Sequence, residues 1–216
     1  MPDPPERRLV EVPAERLPGW LVRFAERHGE PTFSSSEDRW SVELEAPDGA
    51  VATVEVPFPP LPPGADSSAD LVAHVRRDRS VGVLLVRRGG YAVGRFVGRQ
   101  LAESKVGSSY VQGRTKAGGW SQQRFARRRA NQARGAYEDA ADVAARLLVP
   151  RAARMAALVT GGDKAGLRQV LADPRLEPLR ALVLPRVLSV PDPRLAVLSA
   201  TPDQFLAVRI GLNASA

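Results

Sequence analysis

The chain has 216 residues, 44% of them apolar, with 31 Lys and Arg against 24 Asp and Glu and a formal charge of +7. The absence of cysteine excludes a disulfide framework, a cysteine-based zinc finger, an iron–sulfur cluster and thiol chemistry, and two histidines leave little from which to build a His-rich metal site. No apolar run approaches the length of a membrane span, and the opening residues MPDPPERRLVEVP lack the apolar stretch of a signal peptide, so the expectation is a soluble, cytoplasmic protein with no membrane contact, no cofactor and no metal.

Residues 1–12, Pro-rich and charged, read as a mobile arm. Leu17–His28 reads as a helix with Trp20, Leu21 and Phe24 on one face, and His28 as a capping or surface residue. Trp40–Ala46 and Val51–Val56 alternate apolar and polar residues around Asp48-Gly49, the pattern of a β-hairpin. Trp20 and Trp40 are expected to pack this N-terminal part onto the core. Pro57–Gly64 (PFPPLPPG) reads as a semi-rigid linker. Asp66–Arg77 predicts a helix capped by Asp66 or Ser67, with Leu71, Val72 and Val75 inward and His74 at the surface.

Val81–Val86, a turn at Arg87–Gly90, Tyr91–Val97 and a third stretch placed around Ser109–Gln112 predict a three-stranded meander. Thr115–Gln123 is then a loop, and Arg124–Val149 a long helix stopped by Pro150. Its Tyr137, Ala140, Ala141, Ala144, Leu147 and Leu148 follow helical spacing. Met155–Thr160 predicts a strand ended by Gly161-Gly162, Asp163 the cap of a helix running to about Leu171, Ala181–Leu184 another strand, and Pro202–Val208 a last helical turn or two. This order describes an α/β (α+β layered) fold, a mixed β-sheet flanked by helices, with an N-terminal helix plus β-hairpin extension. The expected division is 1–65 for that extension and its linker, and 66–216 for the catalytic domain.

The positive charge is local. From Arg95 to Gly135 there are ten basic residues and one acid, Glu103, a net +9 that leaves −2 for the remainder. Charge concentrated in this way is the footprint of a polyanion binder. At its centre stands Gly113–Arg129, GRTKAGGWSQQRFARRR. Gly118 and Gly119 allow close approach to a substrate, while Arg114, Lys116, Arg124, Arg127, Arg128 and Arg129 suit phosphates. Trp120 could stack on an unpaired base. The segment holds no His, Asp, Glu or Cys, so any catalysis by Gln122 or Gln123 works by orienting water and donating hydrogen bonds. It is not a phosphate-binding P-loop, because Lys and Ser/Thr do not follow the second glycine at the required spacing. By residue types alone, a plain RNA-contact loop is the commoner meaning of such a segment.

GGWSQQRFARRR resembles the glutamine loop and following helix of the central domain of eukaryotic and archaeal class-1 translation release factors. Gly118, Gly119, Ser121, Arg124, Phe125, Ala126, Arg127 and Arg129 fall on that pattern without a gap. The likeness extends from the meander VGVLLVRRGGYAVGRFVG through LVTGGDKAGLRQVLAD toward the C-terminus. Trp120 stands where that family has its glutamine, and glutamines follow two and three places later. The chain therefore resembles more closely the ribosome-quality-control branch, the release-factor-like peptidyl-tRNA hydrolases of actinobacterial VLRF type. Tyr110 and Arg114 resemble the Tyr and Arg that precede the loop there, with spacing off by one.

The resemblance implies a release-factor central-domain fold and a codon-independent ribosome rescue activity, the hydrolysis of peptidyl-tRNA on a stalled large subunit. Gly118, Gly119, Ser121 and Gln122, with Gln123 as the alternative, would form the catalytic loop. Arg114, Lys116, Trp120 and the helix arginines would contact RNA. The partners it implies are ribosomal RNA at the peptidyl-transferase centre and peptidyl-tRNA, met by a monomer. Cleavage of the tRNA near its 3′ end and RNA binding without catalysis are the two rival readings.

Overall fold

Buried apolar residues gather into two separate clusters, and each defines a unit of the chain. The computed structural model describes residues 8–108 and 120–216, and for 120–133 it describes the backbone only. In chain order the elements begin with β1 (Arg8–Val12), α1 (Leu17–His28), β2 (Thr32–Ser35), β3 (Ser41–Glu45), β4 (Val51–Glu55) and α2 (Ser68–Arg76). The meander β5 (Ser80–Arg87), β6 (Gly90–Val97) and β7 (Gln100–Ser108) follows, and then the long helix α3 (Trp120–Leu147). Next come β8 (Ala157–Gly162), α4 (Lys164–Leu171), α5 (Glu177–Arg180), β9 (Val183–Leu188) and α6 (Leu195–Ser199). The chain closes with α7 (Pro202–Phe205) and β10 (Val208–Leu212).

The first unit combines the chain up to Arg77 with Pro202–Ala216, and the second is the unbroken stretch Asp78–Thr201. The sequence reading divides the chain at residue 65 instead. Packing explains the difference. Leu71 and Val75 of α2 and Val208, Ile210 and Leu212 of β10 share one buried cluster with Leu17, Phe24, Val42, Leu44 and Val54. The sheet of this unit runs β1-β10-β4-β3-β2, antiparallel throughout. Part of the expected mobile arm is thus an edge strand, with Leu9 opposite Gly211 and Val10 opposite Ile210. The final segment, expected to be helical to Val208, turns after Phe205 and enters the sheet as an inner strand. VRIGL is a short alternating run whose partner strands lie roughly 150 and 200 residues away, so nothing local announces it.

The proline-rich segment 57–64 is a packed part of this unit rather than a linker. Leu61 is fully buried and Phe58 meets the ring of Phe205 edge-on. Arg39 holds the segment by donating from Nε to the Leu61 carbonyl at 2.8 Å and from Nη2 to those of Pro62 and Ala65 at 2.7 and 3.0 Å. Arg39 itself adopts φ +59°, a conformation costly for a side chain, and these three bonds over-determine it. His74, expected at the surface, is buried with Nε2 2.9 Å from the Pro57 carbonyl. Trp20 stacks on Phe24, as a packing residue should, whereas Trp40 is 44% exposed. His28 Nδ1 lies 2.8 Å from an Asp48 carboxylate oxygen, joining the end of α1 to the β3–β4 turn. That bond, helped by the Ala50 N–H, holds the Asp48 carboxyl below the usual carboxylate range.

The second unit has sheet order β7-β6-β5-β8-β9, with β5, β6 and β7 antiparallel and β5, β8 and β9 parallel. Strands β5 and β8 are buried on both faces, as the near-continuous apolar runs SVGVLLVR and ALVTGG require. Helices α3 and α4 cover one face through Ala140, Ala144, Leu148, Leu167 and Val170 against Leu84, Val86, Val93 and Leu158. The third strand of the meander is Gln100–Ser108 and not the stretch around Ser109–Gln112. As an edge strand it is largely exposed, and its polar composition (QLAESKVGS) conceals it from an apolar-run search.

Truncating Leu61→Ala is expected to destabilise the first unit by roughly 2–5 kcal/mol, the usual cost of a buried leucine. Urea unfolding followed by tryptophan fluorescence checks this, and a midpoint equal to wild type would restore the linker reading.

Candidate RNA-facing site at the head of helix α3

The site is framed by the end of β7 and by α3. Ser108 pairs with Gly90 and Gly107 with Tyr91. Gly90 has φ +153° and a Cβ there would run into the Gly107 carbonyl, while a Cβ on Gly107 would overlap the Tyr91 ring. Only glycines let these strands and the aromatic ring approach so closely. Burial pushes the Tyr91 phenol above its ordinary pKa; the charge of Asp139 adds to the rise and that of Arg146 opposes it. Tyr91 thus lies against Gly107 near the end of β7 and shares a buried cluster with Ala140, Ala141 and Ala144 of α3.

Helix α3 is 28 residues long, about 42 Å at 1.5 Å per residue. Its second half is fastened. Ala136, Ala140, Ala141, Val143 and Ala144 are buried, and Tyr137 lies against Gly166, where an added Cβ would come within 2.9–3.0 Å of the ring. The Tyr137 phenol, raised mainly by burial and by the nearby Asp163 charge, hydrogen-bonds the Asp163 side chain. Asp163 in turn caps α4 by accepting from Ala165 N–H at 3.0 Å, the cap its sequence position predicts. Arg175 joins Asp142 of α3 and Asp173, 2.7 Å from each. Arg175 also donates from its backbone to Asp173, and the two contacts bring the Asp173 carboxyl down to about 2.

From Trp120 to Ala136 the helix runs about 24 Å. Trp120, Ser121, Gln122 and Gln123, expected in a loop, form its first turn. Nothing in Trp-Ser-Gln-Gln breaks a helix, so the glycine pair is the last breaker before α3 begins. The first-turn N–H groups have no partner within the helix, and the helix dipole adds partial positive charge there. Arg124, Arg127 and Arg128 occupy i, i+3 and i+4 positions, one strip of the helix, and Arg129 adjoins it. Gly118, Gly119, Arg114, Lys116 and Tyr110 lie outside the described residues.

The one acid of the basic segment has two partners among the described residues. Glu103 Oε1 is 3.1 Å from Arg95 and 2.8 Å from Arg151, which engage it on β7. Among the described residues no group of three His, Cys, Asp or Glu could hold a metal ion, and no helix is long and apolar enough to cross a membrane. The arrangement offers hydrogen-bond donors, amides and cations, and no group that takes up a proton near neutral pH. Tyr91, Gly107, Tyr137 and Asp163, which fix the frame, escape a sequence reading of the site because their partners are remote in the chain.

Gly107→Ala should destabilise the second unit by roughly 1–3 kcal/mol through overpacking, and Tyr91→Leu in the same chain should recover part of the loss. Additive losses in thermal unfolding would show that the two do not share the space. The Asp173 carboxyl should titrate by NMR at about 2. Because the shift is downward, its contribution is complete above the ordinary carboxylate range and fades as pH falls through about 2. A midpoint near 4, the unperturbed value, would contradict the Arg175 contacts.

A model of the family described as "Actinobacteria/chloroflexi VLRF1 release factor", acVLRF1, matches residues 79–211, more than half of the chain. No curated protein matches. Among solved structures, the chain is similar to the archaeal translation termination factor aRF1 at 18% identity and a TM-score of 0.43, covering 72% of this chain and 46% of that one. It is also similar to a structure described as an archaeal protein, at 14% identity and a TM-score of 0.40, covering 76% and 51%. The chain thus spans about half the length of the solved structures it matches.

Proposed function

We propose that this chain, which belongs to the acVLRF1 family of release factors, is a peptidyl-tRNA hydrolase that frees nascent chains from tRNA on stalled large ribosomal subunits. Membership of that family gives it a role in translation, and the reading names the reaction. The observation that carries it is the first turn of α3. Gln122 and Gln123 sit there, separated from a glycine pair by Trp120 and Ser121 and followed within six residues by four arginines, with no acid between Glu103 and Glu138.

The substrate is an ester between the peptide carbonyl and the 3′-oxygen of the terminal ribose. Its hydrolysis needs water held in line with the carbonyl and donors for the charge that develops on oxygen. An amide side chain does both, and the unpaired N–H groups of the helix head add donors. A glutamine amide is not basic, so the proton of the attacking water leaves through the ribose 2′-hydroxyl or ordered water. Gly118 and Gly119 let the backbone pass close to the substrate, and Ser121 accompanies the amides. Arg114, Lys116, Arg124, Arg127, Arg128 and Arg129 neutralise phosphates of ribosomal RNA or tRNA, and Trp120 stacks on an unpaired base. The chain acts as a monomer and without a metal or cofactor.

The test is a large-subunit–peptidyl-tRNA complex incubated with wild type, Gln122→Ala, Gln123→Ala and the double variant, with peptide and tRNA both resolved. The expected result is release with full-length tRNA, reduced on the order of 10²–10³-fold in one of the single variants. A shortened tRNA would make the protein a nuclease, and binding without release would leave an RNA-binding module. With about five phosphates neutralised, log affinity for the subunit should fall against log salt with a slope of roughly −4. A slope near zero would contradict the role given to the arginines.

A further inference from the structure

At one end of the second unit's sheet the carboxyl ends of β5, β8 and β9 come together, since Val86 is level with Gly162 and Gly161 with Leu188. The β5–β6 turn and the end of β7 lie at this same end, with Arg87 paired to Gly90 and Gly90 to Ser108. At this end lies an open crevice of about 550 Å³ lined, among the described residues, by Arg87, Arg88, Gly162, Asp163, Ser189 and Asp192. That volume suits a small polar ligand, and the crevice lies outside the carboxyl ends of parallel strands, where α/β sheets bind ligands.

The lining defines the ligand's chemistry. Two guanidinium groups suit a phosphodiester. Two carboxylates oppose a bare anion but accept hydrogen bonds from hydroxyls, and Ser189 adds a hydroxyl. Among the described residues no aromatic side chain lines the crevice, so none of them stacks on a base there. Arg87 is already oriented, donating from Nη1 to the Val190 carbonyl at 2.8 Å and lying 3.7 Å from Asp192. Asp163 is bound to Tyr137 and to the α4 cap, which leaves Asp192, 70% exposed, as the carboxylate open to a ligand. The crevice also continues the path of α3. Tyr137 touches Asp163 and feels the charge of Arg88, and Arg134 is exposed one turn earlier on the helix.

We propose that this crevice holds one ribose-phosphate unit of the RNA strand that α3 engages, the phosphate on Arg88 and Arg87 and a ribose hydroxyl on Asp192, and that it reads RNA against DNA without reading the base. The inference rests on the RNA-facing reading of the site above. It concerns binding alone, so it can fail while peptide release succeeds, and the reverse.

The experiment measures binding of the full chain to fluorescent hexamers of riboadenylate, ribouridylate and deoxyadenylate by anisotropy across a salt series. Wild type should prefer the two RNAs to DNA and bind them alike. Arg88→Ala should weaken both RNAs about tenfold and make the salt slope shallower by about 0.7, and Arg88→Lys should recover the slope. Asp192→Asn should reduce the preference for RNA over DNA, whereas Arg128→Ala should weaken all three probes and leave that preference intact. Equal binding of RNA and DNA by wild type would overturn the proposal. So would an unchanged preference in Asp192→Asn, or an Arg88 effect confined to one base. Arg88 and Asp192 are exposed, and an unaltered melting temperature confirms that each variant is folded.

Discussion

Helix α3 meets its sheet through alanines. Ala136, Ala140, Ala141 and Ala144 are buried at helical spacing, and their short side chains let the helix lie close against Val93, Leu84 and Leu158. Each such contact is weak, and two polar ties supplement them: Tyr137 with Asp163, and Asp142 with Arg175. This fastening holds the second half of the helix to its sheet, and Arg124, Arg127, Arg128 and Arg129 lie in the other half. Desolvating a cluster of guanidinium groups would be costly without partners. A chain that concentrates charge on one end of a helix must anchor the other end with apolar surface.

The frame around the 109–119 segment has a similar logic. Its incoming strand is an edge strand of polar composition, whose own apolar burial is slight. Close packing of Gly90, Gly107 and Tyr91 supplies the rigidity that composition does not. Glu103, the single acid of the basic segment, is occupied by Arg95 and Arg151. It binds β7 to β6 and to the turn that follows α3.

Sequence conveyed the parts of this arrangement that are periodic or local. The apolar run of β5, the Asp163 cap, the Asp48-Gly49 hairpin and the alanine face of α3 each carry their signal within a few residues. So does the run from Gly118 to Arg129, which pointed to the release-factor family that the match over 79–211 supports. What was hidden depends on distant partners. β1 and β10 become strands only because they pair with each other and β10 with β4. The proline-rich segment resembles a linker until Arg39 gathers its carbonyls. The helical setting of Gln122 and Gln123 was missed because a polar stretch beside glycines has a loop-like composition, although none of its residues opposes a helix.

The first unit is built from two parts of the chain separated by the whole of the second, and β10 lies inside its sheet between β1 and β4. During synthesis, β1 to β4 emerge early with an open flank where β10 belongs, and that flank stays open while residues 78–201 are made. An unpaired inner strand position is a template for pairing with other chains. The second unit, contiguous in sequence, can complete its core meanwhile. The order of translation thus lets the contiguous unit mature first, while the sheet of the other stays incomplete until β10 is made.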